Sequence, residues 1–141
     1  MLDKDFTICK DKGFTLVEIM IVVAIVALLA SLAIPGLLRA RISGNETYAQ
    51  ASLKTISNAC ETYAAANNGQ YPIAIADLIA ATPPYLNEDY TDATRKGYDF
   101  ACSVMAITGY SCTATPSACN QTGTKTFTIS TGGIFNSMNC S

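Results

Sequence analysis

The chain has 141 residues, six cysteines, no histidine and no tryptophan, with 11 acidic against 9 basic side chains. That length argues for one domain with appendages. A formal net charge of -2 lacks the basic field that nucleic-acid binding needs, and the missing histidine removes the commonest general base and metal ligand. The first counts against a nucleic-acid-binding protein and the second against a hydrolase or a metalloenzyme. Hydrophobic residues are 50% of the chain but unevenly spread, since residues 19 to 38 carry no charge. The composition describes two different objects joined together.

The first object is compatible with a membrane. From Phe14 to Ile34, 21 residues are almost wholly apolar, and as a helix they span about 32 Å, one bilayer crossing. Ahead of them three Lys and three Asp cancel, while Arg39 and Arg41 lie just beyond the far end, so charge marks orientation only weakly. Glu18 is the exception inside the run. A carboxylate near a bilayer core costs about 2.5 kcal/mol or more on insertion scales, which marks it as functional unless it stays hydrated at the interface.

The string Lys12-Gly13-Phe14-Thr15-Leu16-Val17-Glu18 followed by the apolar run resembles the processing signal of type IV pilins and of the pseudopilins of type II secretion. The resemblance implies that a prepilin peptidase cuts between Gly13 and Phe14 on the cytoplasmic side and methylates the new amino terminus at Phe14. It also implies that Glu18 pairs with the terminal ammonium of a neighbouring subunit during assembly. The physics agrees, because two charges that are each costly in an apolar filament core offset each other across a subunit boundary. Pro35-Gly36 matches the place where the family's long helix bends or melts. The 13-residue leader of balanced charge departs from family leaders, which are often short and net basic. A rival reading is an ordinary secretory signal with an apolar region Ile19 to Leu32 and a small-residue site Ser31-Leu32-Ala33. Glu18 and the distance to Lys12 argue against it.

Past the Pro-Gly the pattern stays helical. Ile42, Ala49, Leu53, Ile56, Cys60 and Tyr63 paint one stripe, and Asn45, Glu46, Gln50, Lys54, Asn58 and Glu61 lie on the other face. Asn67-Asn68-Gly69 stops the helix, with Gly69 suited to a left-handed C-terminal conformation. The spacing predicts one helix from Phe14 to about Asn67, 54 residues or about 81 Å if unbroken. Residues 70 to 97 read as a loop-rich connection, with one or two helical turns around Asp77 ended by Pro83-Pro84. Glu88, Asp89, Asp92 and Asp99 lack the regular spacing of a calcium loop and read as a solvated face.

The remainder predicts a small sheet. Tyr98 to Ala106, Tyr110 to Ala114 and Lys125 to Ser130 each alternate. A three-residue loop Ile107-Thr108-Gly109 pairs Ala106 with Tyr110 and Val104 with Cys112, placing both apolar sets on one face, whereas a two-residue loop separates them. Gly109 is then expected in a left-handed conformation. The three-stranded face covers the helix stripe. Gly97-Tyr98, Cys112-Thr113-Ala114-Thr115-Pro116 and Thr122-Gly123-Thr124-Lys125-Thr126-Phe127, with Gly133-Ile134 behind them, also resemble the globular heads of bacterial pilins.

Cys9 belongs to the expected leader, which leaves Cys60, Cys102, Cys112, Cys119 and Cys140. Without CxxC spacing or histidine, disulfides formed after export fit better than zinc. Cys60 with Cys112 is the expected pair, on the shared helix-sheet face, and Cys119 with Cys140 the second. Most of the sequons at Asn45, Asn120 and Asn139 read as bare, and the aromatics as packing.

The resulting expectation is an α+β, pilin-like lollipop: residues 1-13 a removed leader, 14-35 the membrane and assembly half of the long helix, 36-141 the amphipathic half plus head. Its function is that of a structural subunit, major-pilin-like, of a type IV pilus, and it is not an enzyme. A pseudopilin of a secretion or competence machine is the alternative, and a membrane-anchored binding protein that never polymerises is the second. The implied partners are other copies of the chain, the prepilin peptidase, an inner-membrane assembly platform and, before assembly, the membrane. No cofactor, metal or small-molecule substrate is expected, and DNA binding only as a function of the filament. The resemblance places the subunit first in the inner membrane with its head on the extracytoplasmic side, then in an extracellular pilus.

Overall fold

The computed structural model describes residues 13–140. Cys9, Lys12 and the rest of the expected leader before Gly13 lie outside the described residues. The chain divides into two compact units, Met1–Gly36 and Leu37–Ser141. Its element order is α1 (Leu16–Ala66), α2 (Ile75–Ala80), β1 (Tyr98–Ala106), β2 (Gly109–Pro116), β3 (Lys125–Ser130), a 3-10 turn (Thr131–Gly133) and β4 (Ile134–Asn139).

α1 runs 51 residues without interruption, with Pro35 inside it. The helix is continuous through Pro35 and Gly36. One proline removes a single ladder hydrogen bond, while the turns before and after it keep theirs. The helix stops where Asn68 and Gly69 take φ of 55° and 83°, and the Gly69 N–H donates back to the Ala64 carbonyl at 2.8 Å, the left-handed closure that glycine permits.

In the second unit the stripe on α1 meets the sheet. Ala49, Leu53, Ile56 and Cys60 are fully buried against Tyr98, Phe100, Tyr110, Cys112, Ala114, Phe127 and Ile129 from three strands. At about 25 cal/mol per Å² of apolar surface buried, this helix-on-sheet layer favours folding of the head. α2 and the loop after it add Ile75, Leu78 and Leu86 to the same core. Asp77 holds the start of α2, accepting from the Ala74 and Ile73 N–H groups at 3.0 and 3.1 Å.

The sheet is four-stranded and antiparallel, in the order β1-β2-β3-β4, one strand more than expected. β4 reads Ile-Phe-Asn-Ser-Met-Asn, where Ile and Phe favour a strand but the two Asn do not and no apolar-polar alternation marks it. It forms because the turn at Thr131–Gly133, with Gly132 and Gly133 at φ of 77° and 72°, folds it back onto β3. Phe135 then stacks on Phe127 at 5.7 Å.

The β1–β2 register also differs. Ala106 lies opposite Gly109, Met105 opposite Tyr110 and Val104 opposite Ser111, so the loop is the two residues Ile107 and Thr108. A bulge between Cys102 and Val104 then brings Cys102 opposite Cys112. One extra residue on one strand reverses its side-chain parity, so Tyr98, Phe100 and Cys102 share the inner face with Cys112 and Ala114 despite the short loop. Gly109 is not left-handed. It is required because a side chain there would overlap the Thr131 hydroxyl.

The bulge decides the cysteine chemistry. Cys102 and Cys112 are bridged, with Cα atoms 4.0 Å apart, and Cys119 is bridged to Cys140 across a separation of 21 residues. Cys60 is free and buried, which corrects its expected pairing with Cys112. A residue directly opposite on the next strand is a nearer partner than one across the helix-sheet layer.

Candidate assembly site

Among the described residues nothing covers the apolar surface of the first unit: Phe14 is 84% exposed, and Leu16, Val17, Ile19 to Val23, Ile25, Val26, Leu28, Leu29, Leu32 and Ile34 are all exposed. Leu37 and Leu38, at the start of the second unit, are exposed as well. The most apolar 18-residue window of α1 has a mean hydropathy of 2.8 and none of it is buried. Ser31, within the apolar stretch, donates to the Leu28 carbonyl at 2.7 Å, so its hydroxyl is satisfied inside the helix.

Gly13, Phe14 and Thr15 precede the helix as exposed, non-helical backbone, the form in which a peptide bond is open to a protease. Thr15 and Glu18 then close a reciprocal cap. The Thr15 N–H and hydroxyl donate to one Glu18 carboxylate oxygen at 2.7 and 2.8 Å, and the Glu18 N–H donates to the Thr15 hydroxyl at 3.2 Å. This is a capping box, in which Glu18 satisfies the orphan donors of the first turn and sets its charge against the positive end of the helix dipole. The Thr-x-x-Glu spacing is readable in the sequence as that motif; the assembly role implied for Glu18 obscures it. One oxygen of the carboxylate is engaged by Thr15. The other has no hydrogen bond within the described residues.

The second unit is tied to its helix by residues that the periodicity places on the face away from the apolar stripe. The Asn45 side-chain amide donates to the Thr122 carbonyl at 2.9 Å. Glu46 accepts from the Thr124 N–H and hydroxyl at 2.8 and 2.6 Å. Glu61 accepts from the Tyr71 and Tyr110 hydroxyls and the Gly132 N–H at 2.9, 3.0 and 2.8 Å. No local motif marks these contacts, because each partner is 10 to 78 residues away. Burial pushes the Tyr110 and Tyr98 hydroxyls up to about 12, with Glu61 and Glu46 acting in the same direction. Burial, and then Glu61, pushes the Cys60 thiol to about 12 as well, so it is a poor nucleophile where it stands.

In the loop before β1, acidic residues gather around a guanidinium. Arg95 donates to Glu88 at 2.6 Å, to Asp92 at 3.1 Å and to the Asp89 carbonyl at 2.6 Å, and lies 5.2 Å over the Tyr90 ring. Glu88 and Asp92 hold it more firmly protonated. Asp99 accepts from the Thr94 hydroxyl. Among the described residues no cluster of three or more His, Cys, Asp or Glu side chains is arranged to hold a metal ion.

A long helix, apolar and uncovered in its first half and packed on an antiparallel sheet in its second, with a capped acid at its start, is the architecture of a pilin-like α+β protein. Residues 8–34 match the family described as the prokaryotic N-terminal methylation motif. The chain is 38% identical over 102 residues to the type IV wide pilus major component of Thermus thermophilus, covering 70% of this chain and 75% of that one. It is 33% identical over 93 residues to the type II secretion system core protein G of Escherichia coli, covering 63% of this chain and 61% of that one, less than two thirds of that relative's length. It therefore belongs to the type IV pilin and pseudopilin family, whose members are structural subunits and not enzymes. The apolar helix and the processing motif are those of a membrane-anchored subunit.

Proposed function

We propose that the chain is a major-pilin-like subunit of a type IV pilus. The observation that carries this reading is the uncovered apolar half of α1, whose large side chains from Phe14 to Leu38 stand in solvent. A surface of that extent needs a partner. The bilayer serves before assembly, and the same half of other copies serves afterwards. Cleavage after Gly13 by the prepilin peptidase makes Phe14 the methylated terminus, and Glu18 offers its free carboxylate oxygen to the Phe14 ammonium of a neighbour. An inner-membrane platform feeds the subunit into the filament, with Pro35 and Gly36 as the point where the helix adapts. Similarity to the wide-pilus component over three quarters of its length supports the pilin role. The pseudopilin reading rests on the similarity to the secretion core protein.

The test is to shear surface filaments from cells, purify them and measure the intact subunit mass. Filaments made chiefly of this chain, lacking residues 1–13 and carrying one extra methyl group, are the expected result. A mature terminus at Ile34 overturns the reading in favour of a secreted protein. Correct processing without surface filaments favours the pseudopilin.

A further inference from the structure

β4 is the outer edge of the sheet, and nothing among the described residues pairs with its far side. Edge strands of soluble proteins are normally blunted by a charge, a proline or a bulge, because their free N–H and C=O groups are a template for another strand. β1, the opposite edge, is blunted in this way, with its bulge between Cys102 and Val104 and with Asp99. β4 is not: its six residues contain no charge and no proline, and they pair with β3 in unbroken register from Ile134 to Asn139.

The pattern of β4 is also self-complementary. Phe135 faces the core with Phe127, so Ile134, Asn136 and Met138 point to the outer face, where Ile134 and Met138 are 60% and 67% exposed. Turning a second copy about an axis through Asn136 sets Asn136 opposite Asn136, Ile134 opposite Met138 and Met138 opposite Ile134. Each register shifted by one residue puts outward side chains against inward ones. In an isologous two-fold contact residue i meets j and j meets i, so about Asn136 the exposed apolar side chains of Ile134 and Met138 meet each other on both sides of the axis. Charge allows it. From Leu37 onward the chain carries seven acids against six bases, four of those bases being in the head proper. The balance is nearly neutral, and no charge on β4 opposes the approach of a second copy.

We propose that β4 pairs edge to edge with β4 of a second copy, antiparallel about Asn136, and so links neighbouring filaments side by side. Two six-residue strands bury far less than the roughly 1,200 Å² of a stable complex. A single contact is therefore weak and becomes firm only when repeated along two filaments, where avidity adds about 10²- to 10⁴-fold. The lateral linkage rests on the filament reading above; the strand pairing does not.

The test introduces Asn136→Cys, Ile134→Cys and Met138→Cys separately into the full chain and applies mild oxidation to isolated membranes and to purified filaments. Directly opposed cysteines on antiparallel strands have Cα atoms about 4.5–5.5 Å apart, within disulfide reach. Asn136→Cys is expected to give a covalent dimer on its own. Ile134→Cys and Met138→Cys are expected to stay monomeric alone and to cross-link when co-expressed. Asn136→Lys places two like charges on the axis and is expected to leave filament yield unchanged while dispersing bundles seen by electron microscopy. Filaments that give no Asn136→Cys dimer, or bundles indifferent to Asn136→Lys, overturn the pairing. A dimer in membranes from cells that make no filaments supports the pairing and overturns the filament reading instead.

Discussion

The Tyr110 hydroxyl lies 3.0 Å from a Glu61 carboxylate oxygen and 2.7 Å from the Ser57 hydroxyl, beneath a sheet that leaves Tyr110 only 2% exposed. That oxygen of Glu61 also accepts from Gly132, and the other accepts from Tyr71. A single carboxylate on α1 thus joins β2, the turn that launches β4 and the segment leaving the helix.

Replacing Glu61 by alanine strands several donors at once. Leaving a part-buried donor unpaired costs about 1–3 kcal/mol, and solvent reaches some of these groups, so Glu61→Ala is expected to cost about 2–4 kcal/mol in total. Tyr110→Phe keeps the ring and loses only the hydroxyl, and should cost less. Thermal unfolding of the processed protein with its disulfides intact measures both. Equal midpoints for Glu61→Ala and wild type would remove Glu61 from its place as the tie.

Alkali should weaken the head. The Tyr98 and Tyr110 hydroxyls titrate near 12 in the folded protein and near 10 in the unfolded chain. Between those values the folded state holds more protons, so stability falls as pH rises. The tyrosine contribution is fully present below pH 10 and lost progressively as pH rises through 12. The buried Cys60 thiol, about 8.5 unfolded and about 12 folded, starts the fall earlier, so the expected profile is flat from neutral to about pH 8, declines gently to pH 10 and falls more steeply above it, less so in Tyr110→Phe.

Non-reducing peptide mapping of exported protein should recover Cys102 linked to Cys112 and Cys119 linked to Cys140, with Cys60 unmodified until the protein unfolds. Loop entropy ranks the two bridges. The separation of 21 residues against 10 makes the Cys119–Cys140 bridge worth about 0.6 kcal/mol more. A peptide joining Cys60 to Cys112 would contradict the observed register.

Glu18 has a cap to make and, in the proposed assembly, a charge to offer, and two substitutions separate them. Thr15→Val removes the cap partner, expected to cost about 1 kcal/mol of helix start, and leaves the charge. Glu18→Val removes the charge, so that the neighbour's ammonium enters an apolar core unpaired at roughly 3–5 kcal/mol. Both variants should be processed normally. Thr15→Val should still give filaments and Glu18→Val few or none, in cells with no native copy to co-assemble. Equal filament yields from the two variants would reduce Glu18 to a helix cap.

What the sequence by itself determined were features encoded by near neighbours. An uncharged run of apolar residues can only be a helix that seeks lipid or its own kind, so the first half of α1 is legible from composition alone. The stripe through Ala49, Leu53, Ile56 and Cys60 is equally legible, because helical periodicity is local, as is the stop at Gly69. The processing string around Gly13 and Phe14 carries the family resemblance in a few consecutive residues. Tertiary structure alone decided the rest. Parity arguments place Tyr110 opposite Ala106, and they fail because the bulge between Cys102 and Val104 carries no sequence mark and reverses every face beyond it. The same bulge moves the disulfide from Cys60 to Cys102. β4 is hidden because no apolar-polar alternation marks it and it is held by β3 and the turn at Gly132. Asn45, Glu46 and Glu61 read only as the face away from the stripe, because helix periodicity shows which residues are polar, and only the packed sheet shows which polar residues find a partner.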